Sequence, residues 1–314
     1  MAVAGSQSAA VEAGEPLATT RIGARALVLE TLRRPSAAAS AFVLLLVVVV
    51  AIFGPAFAPY DPNAIVLGKT LASPTVHHLL GTDSLGRDNF SRLIYGTRIA
   101  LEVALPSVIG AFIVGGALGL FAGYIGGLPD KVLVVVFDAV VSFPAVILGL
   151  ALLTLLGPSI SSVVLVIAIA LIPYYGRLVR GQTLSERRNQ YVKAERALGA
   201  SRSRVLLRHL LPNVLPPMLI IVAMDIPGAI SIEAGLAFLG LGVQPPTADW
   251  GVMLNGGFTD IGTSPWEIIG PIAALILVTS AFTLLGEALR DALDPKHTVR
   301  RRGLRDRLRA SEQA

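Results

Sequence analysis

Apolar residues in this chain run in long unbroken stretches, separated by compact blocks of charge. The first stretch, Pro35 to Tyr60, contains no charged residue, and the second runs from Val103 to Pro129. A third and fourth come from Val132 to Gly176, a run too long for one crossing, interrupted only by Asp138 and broken at Gly157-Pro158-Ser159. The fifth covers Leu215 to Val243 with Asp225 and Glu233 inside it, and the sixth covers Ile268 to Gly286. A run of roughly 18 or more apolar residues is the length a helix needs to cross a hydrocarbon core about 30 Å thick, where every backbone polar group must be satisfied internally. The pattern predicts an all-α integral membrane protein with six transmembrane helices.

The acid in the third run does not forbid insertion. A carboxylate at a helix centre costs roughly 2.5–3.5 kcal/mol, while each Leu, Ile, Val or Phe returns roughly 0.3–0.6 kcal/mol. The many such residues around Asp138 offset one acid.

Composition agrees. Of 314 residues 54% are hydrophobic and 15% charged, against about 25% charged in soluble domains. The net charge of +5 is a topology signal and not a nucleic-acid footprint, because of where the basic residues stand. Four lie before residue 35, nine between 177 and 213, and eight after 286, while none lies between the third and fourth or the fifth and sixth runs. By the positive-inside rule both termini are cytoplasmic. The organisation that follows is a cytoplasmic tail over 1–34, a transmembrane domain over 35–290, and a basic cytoplasmic tail over 291–314. External loops cover 58–98 and 244–266, and a cytoplasmic loop covers 177–213. Trp250 and Trp266 flank the second external loop, where interfacial aromatic belts are expected. Residues 1–20 read as a flexible tail. The apolar run after Arg33-Arg34 is too long for a signal peptide, so an uncleaved first span is expected. With no cysteine, the chain has neither disulfides nor thiolate metal sites.

Local signals add detail. Asn89 to Arg98 reads as a short amphipathic helix leading into the second span. Gly115, Gly119, Gly123 and Gly127 recur every four residues and form a small-residue stripe suited to close helix contact in lipid. Pro106, Pro144, Pro173, Pro217 and Pro227 sit in or beside spans, where they free backbone carbonyls.

Catalytic chemistry is absent from the pattern. Gly68-Lys69-Thr70 fails as a nucleotide-binding loop because Asn63 stands where the pattern needs glycine. His77-His78 reads as a polar loop pair and not a metal site, since His209 and His297 fall across the membrane. Asp138, Asp225 and Glu233 remain as intramembrane acids, either bonded to neighbouring helices or lining a substrate path. No cluster of His, Asp and Glu builds a membrane enzyme.

From Leu184 to His209 the cytoplasmic loop is rich in helix formers, with Gly199 and Ser201 marking a break, so two short helices joined by a turn are expected. On the first, Ala194, Ala197 and Leu198 form a small apolar face amid Arg187, Arg188, Lys193 and Arg196, suited to docking in a partner's groove.

This loop resembles the one shared by integral membrane subunits of ATP-binding-cassette importers, E-A-A, three residues, G, nine residues, I, one residue, L-P. Ala194, Gly199, Leu211 and Pro212 match it, while Lys193, Glu195 and His209 depart from it. Three further stretches resemble the second membrane subunit of the dipeptide, oligopeptide and nickel permease group. They are Leu80 to Asp88 with Ser91 to Gly96, Phe238 to Pro246 with Trp250-Gly251, and Leu289 to Pro295. The resemblance implies a type I importer permease fold in a bacterial inner membrane. It also implies coupling through Lys193, Ala194, Glu195, Ala197, Leu198 and Gly199, and a translocation path candidate in Asp138, Asp225 and Glu233. The implied partners are a second, homologous permease subunit, two ATPase subunits that bind ATP and magnesium, and an external substrate-binding protein. The implied cargo is di- or oligopeptides, with nickel or another small solute as the alternative within the group. An ion-coupled secondary transporter is the rival outside it, which would show inverted repeats and use the intramembrane acids.

Overall fold

Three glycines four residues apart bring the two most extensively paired helices together. The computed structural model describes residues 31–293, and in it α2 (Asn89–Ile125) lies along α5 (Ile160–Glu186). A Cβ added at Gly115, Gly119 or Gly123 would run into the main-chain carbonyls of Ile172, Gly176 and Arg180 on α5. Only hydrogen fits there, so the two backbones touch, and packing rather than water exclusion drives association of helices in lipid. Gly127 is not part of this stripe. α2 has already ended at Gly126, whose φ is +70°, and Gly127 itself has φ +71° with open space around it.

Around this pair stand α1 (Pro35–Phe57), packed on α2 and on α9 (Trp266–Leu293), and α7 (Arg202–Phe238), packed on α2, α5 and α9. The central core is built from small and β-branched residues, among them Val103, Ala104, Val108 and Ala111 of α2, Val163 and Ile167 of α5, and Ala229 and Ile230 of α7. The outside is equally apolar. Phe42, Leu45, Ile52 and Phe53 on α1 and Ile276 and Leu277 on α9 point outward and exposed. A helix that is hydrophobic all round is one whose solvent is lipid.

The third predicted span is not one straight helix. α3 (Gly127–Val141) and α4 (Ala145–Leu156) meet at an 89° bend. Pro144 lacks the N–H that would continue the ladder, and the residue before a proline disfavours the helical region. At 1.5 Å per residue α4 is about 18 Å long, too short to cross alone. The described residues therefore hold five helices long and apolar enough to cross a membrane, or six if the bent pair is one span. The predicted break at Gly157-Pro158-Ser159 is present, with Gly157 at φ +80° and Ser159 capping α5 by accepting from Ser162 N–H.

Other boundaries also differ from expectation. Asn89 to Arg98 is the first part of the 37-residue α2 and not a separate helix. It starts where the Asp88 carboxylate accepts from Ser91 N–H at 2.7 Å. α5 continues ten residues past Gly176, carrying Arg177 and Arg180 into the helix. The loop 244–266 holds an unpredicted helix, α8 (Trp250–Thr259), capped by Asp249 accepting from Val252 N–H. The tail read over residues 1–20, the end of the Leu289 to Pro295 stretch and most of the basic tail 291–314 lie outside the described residues.

Candidate functional site

The loop between α5 and α7 contains one amphipathic helix, α6 (Gln190–Ala197). Its buried side is a single residue. Val192 is fully buried in a cluster with Leu120 and Tyr124 of α2, Val179 of α5, and Val205, Leu210, Val214 and Met218 of α7. Polar contacts hold the same base. Tyr191 donates to Glu186 Oε2 at 2.8 Å, and Asn213 Nδ2 donates to the His209 carbonyl at 2.6 Å and to the Tyr191 hydroxyl at 3.3 Å. Burial, with the Glu186 carboxylate beside it, raises the Tyr191 phenol, so it stays a neutral donor.

The opposite side of α6 faces outward. Lys193, Ala194, Ala197 and Gly199 are exposed, Glu195 is half-buried within 3.6 Å of His209, and Leu198 at the tip is 84% exposed. The helix stops at Gly199, which has φ +80°. There the Ala200 N–H reaches back to the Glu195 carbonyl at 3.0 Å and the Gly199 N–H to Arg196 at 3.1 Å, a left-handed cap that glycine adopts without strain. The second expected short helix is the start of α7. It joins the fifth span through a π-helical turn, Val205–Leu210, just ahead of Pro212, Pro216 and Pro217. Prolines remove ladder donors, and a wider turn takes up the mismatch.

The three intramembrane acids stand in three different settings, and the structure does not bring them together. Asp138, 61% exposed along its side chain, pairs with Arg177 of α5 at 2.5 Å. One turn onward in α5, Arg180 makes two bonds to Asp130 at 2.5 and 2.8 Å. Asp225 of α7 accepts from the Tyr175 hydroxyl of α5 at 2.8 Å, and Tyr175 packs edge-on against Phe112 and Tyr174. Glu233, two turns further along α7, is fully buried against the Asp249 carboxyl that caps α8. Burial raises the Asp249 carboxyl above its ordinary range. These partners lie far away in sequence, so no local signal pointed to them.

At the far end of the bundle from α6, the two motif stretches of the resemblance meet. Asp83 accepts from Leu85 and Arg87 N–H and from the Arg87 side chain, closing the turn around Gly86. Arg92, 1% exposed, donates to the carbonyls of Pro62 at 3.1 Å and Pro246 at 3.3 Å. Trp250 Nε1 donates to the Leu93 carbonyl, and the indole lies over Gly96. Trp250 is therefore a core residue and not a member of an interfacial belt, whereas Trp266 is exposed. His78 is buried, bonded to Asp88 at 2.9 Å and stacked on Tyr60. Among the described residues no group of three His, Cys, Asp or Glu could hold a metal.

Comparison with known proteins assigns the family. Residues 30–74 match the N-terminal transmembrane domain of oligopeptide transport permease C. The probable D,D-dipeptide transport system permease protein DdpC of Escherichia coli is 39% identical over 90% of this chain and 94% of its own length. The dipeptide transport system permease protein DppC of Alkalihalophilus pseudofirmus is 38% identical over 79% of this chain and 82% of its own. The glutathione transport system permease protein GsiD of Pectobacterium atrosepticum is 40% identical over 84% and 88%. Residues 115–299, which include the glycine-bearing end of α2, all of α5, the loop helix and the α7–α8 junction, match the model of one family. The chain belongs to the family of binding-protein-dependent transport system inner membrane components.

Proposed function

We propose that this chain is one of two homologous permease subunits of an ATP-driven importer. It carries di- or oligopeptides from an external binding protein to the cytoplasm by alternating access. The single observation that carries the coupling part of this reading is α6. It is anchored through Val192 to α2, α5 and α7 at once, and it presents the small apolar surface of Ala194, Ala197, Leu198 and Gly199 to whatever lies beyond. A partner that grips such a helix moves three spans together, and coupling of this kind needs only that the grip differ between two states. Lys193 and Glu195 flank the gripped surface.

In this reading six spans cross the membrane with the α3–α4 pair counted as one, and both termini are cytoplasmic, with loop 177–213 on the same side. Two ATPase chains hold ATP and magnesium, and this chain performs no hydrolysis. When the ATPase pair closes on ATP it draws α6 inward and turns the permease pair outward. Asp225 and Glu233, on the same helix eight residues apart, line or brace the path, and Asp138 lies at its margin. The peptide assignment is supported by the relatives, which are named for dipeptide and glutathione transport.

The test is uptake of a labelled dipeptide by cells carrying Gly199→Asp. Space is open around Gly199, and aspartate is among the few residues other than glycine that adopt its φ of +80° at modest, local cost, so the variant inserts and assembles, which its yield in the purified complex checks, yet an added charge at the grip abolishes uptake. Normal transport by that variant overturns the assignment of α6. Recovery of the intact complex without an ATPase overturns the importer reading as a whole.

A further inference from the structure

Where α2 ends, its last turn faces the α6–α7 loop across a pocket of about 560 Å3 lined by Tyr124, Ile125, Arg187, Arg196, Ala200 and Arg202. Three guanidinium groups from three segments converge on one concavity, and no acid lines it. Two of them are held from behind. Arg187 Nη1 donates to the carbonyls of Gly123 at 3.2 Å and Tyr124 at 2.9 Å, and the Arg196 guanidinium lies 4.9 Å from the centre of the Tyr124 ring. Acids nearby are already engaged: Asp130 by Arg180, Glu186 by Asn189 and Tyr191, Glu195 by His209.

Like charges gathered in a concave site repel one another and are relieved by an anion with several acceptor oxygens. Guanidinium groups bind phosphate through paired N–H bonds, and each keeps N–H donors to spare beyond those it uses for support. The depth fits as well. Ile125 on the rim and Leu128 just after it are exposed apolar residues where α2 leaves the bundle, and basic pockets between spans at the cytoplasmic surface suit phosphate headgroups. A volume of this size is within the roughly 300–1,000 Å3 range of small-molecule sites.

We propose that this pocket binds a phosphate group, presented either by the headgroup of an anionic membrane lipid or by a soluble phosphate. It rests on the sidedness proposed above. Occupied, the phosphate ties Arg187 at the end of α5, itself bonded to the last carbonyls of α2, to both sides of the Gly199 turn and so stiffens the base from which α6 projects.

The experiment counts bound molecules by native mass spectrometry on the full chain purified with its accompanying subunits. The complex is titrated with phosphatidylglycerol, with phosphatidylcholine of the same acyl chains, and with inorganic phosphate. The parent protein is expected to retain one more phosphatidylglycerol than phosphatidylcholine. The Arg196→Gln/Arg202→Gln variant, altered only at exposed positions, is expected to lose that molecule with at least a tenfold fall in apparent affinity. Arg188→Gln/Arg208→Gln removes two exposed charges outside the pocket and is expected to keep it. The single Arg202→Lys, which keeps the charge but not the planar fork, is expected to fall between. If inorganic phosphate and not the lipid shows this pattern, the source is soluble and the site stands. Equal binding of lipid and phosphate by parent and pocket variant overturns the proposal, and so does an equal loss in the control variant. Because the readout is binding, it is independent of whether the cargo or the ATPase coupling has been read correctly.

Discussion

The indole nitrogen of Trp250 donates to the main-chain carbonyl of Leu93 at 3.0 Å, joining the start of α8 to the first turns of α2. Immediately before Leu93 on α2, the adjacent residues Ser91 and Arg92 complete the junction. Arg92 reaches the Pro62 and Pro246 carbonyls, and the Ser91 hydroxyl accepts from Tyr60 N–H. Loops that are remote in sequence are thus locked to a membrane helix by buried donors.

Removing the central donor should therefore be costly. Arg92→Leu leaves the two carbonyls without their buried donor and removes the guanidinium 3.8 Å from the Asp83 carboxylate, a loss of about 3–5 kcal/mol for breaking a buried charge network. Arg98→Leu, whose exposed ion pair with Glu102 spans 3.7 Å, should change stability by under about 1 kcal/mol. Thermal unfolding of the two purified variants checks this, and equal melting temperatures would sink the structural role of Arg92.

Gly119→Ala places a methyl group on the carbonyl of Gly176, which is backbone and cannot swing aside. The expected cost is about 1–3 kcal/mol of overpacking. Gly110→Ala, on the same helix but with nothing within 4 Å, should be neutral or slightly stabilising, because alanine is the better helix former by about 1 kcal/mol. Unfolding midpoints in detergent distinguish the two.

Glu233 and Asp249 place two fully buried carboxyl groups together, and two charges of one sign in a dry site are unfavourable. Glu233→Gln keeps the shape and supplies an amide donor to Asp249, so folding yield should hold or rise. Glu233→Leu relieves the like-charge contact but supplies no donor to the unpartnered Asp249 Oδ2, so its yield should fall below that of the glutamine variant. A glutamine variant that fails to fold would show that the carboxyl of Glu233 has a partner beyond Asp249.

Val192 and Leu198 lie six residues apart on the loop helix and its cap, one fully buried and the other almost wholly exposed. Val192→Ala should cost about 1–3 kcal/mol through the cavity it leaves and should speed proteolysis within 186–200. Leu198→Ala should leave stability within about 0.5 kcal/mol and yet reduce uptake if, as proposed, this exposed side chain docks against the ATPase. Limited digestion and transport assays on both variants separate anchoring from docking.

The membrane-crossing segments were legible because transfer into lipid is close to additive along a helix, so runs such as Pro35 to Tyr60 announce themselves without tertiary help. The small-residue stripe was legible through Gly123 for a similar reason, since spacing alone puts Gly115, Gly119 and Gly123 on one face. Its fourth member failed because consecutive glycines at 126 and 127 end the helix with positive φ before the pattern can continue. The bend at Pro144 was visible as a proline but not as an 89° turn, because whether a proline kinks or redirects a helix depends on what packs around it.

Local patterning alone thus accounted for where the apolar segments of this chain lie, where the α6 loop falls, and which faces carry glycine, since each depends on neighbours within a few turns. Tertiary structure alone decided the pairings Arg177 with Asp138, Tyr175 with Asp225 and Trp250 with Leu93. A buried polar group must find a partner wherever the fold brings one, and the distance along the chain to that partner, 157 residues for Trp250, leaves no trace in local composition.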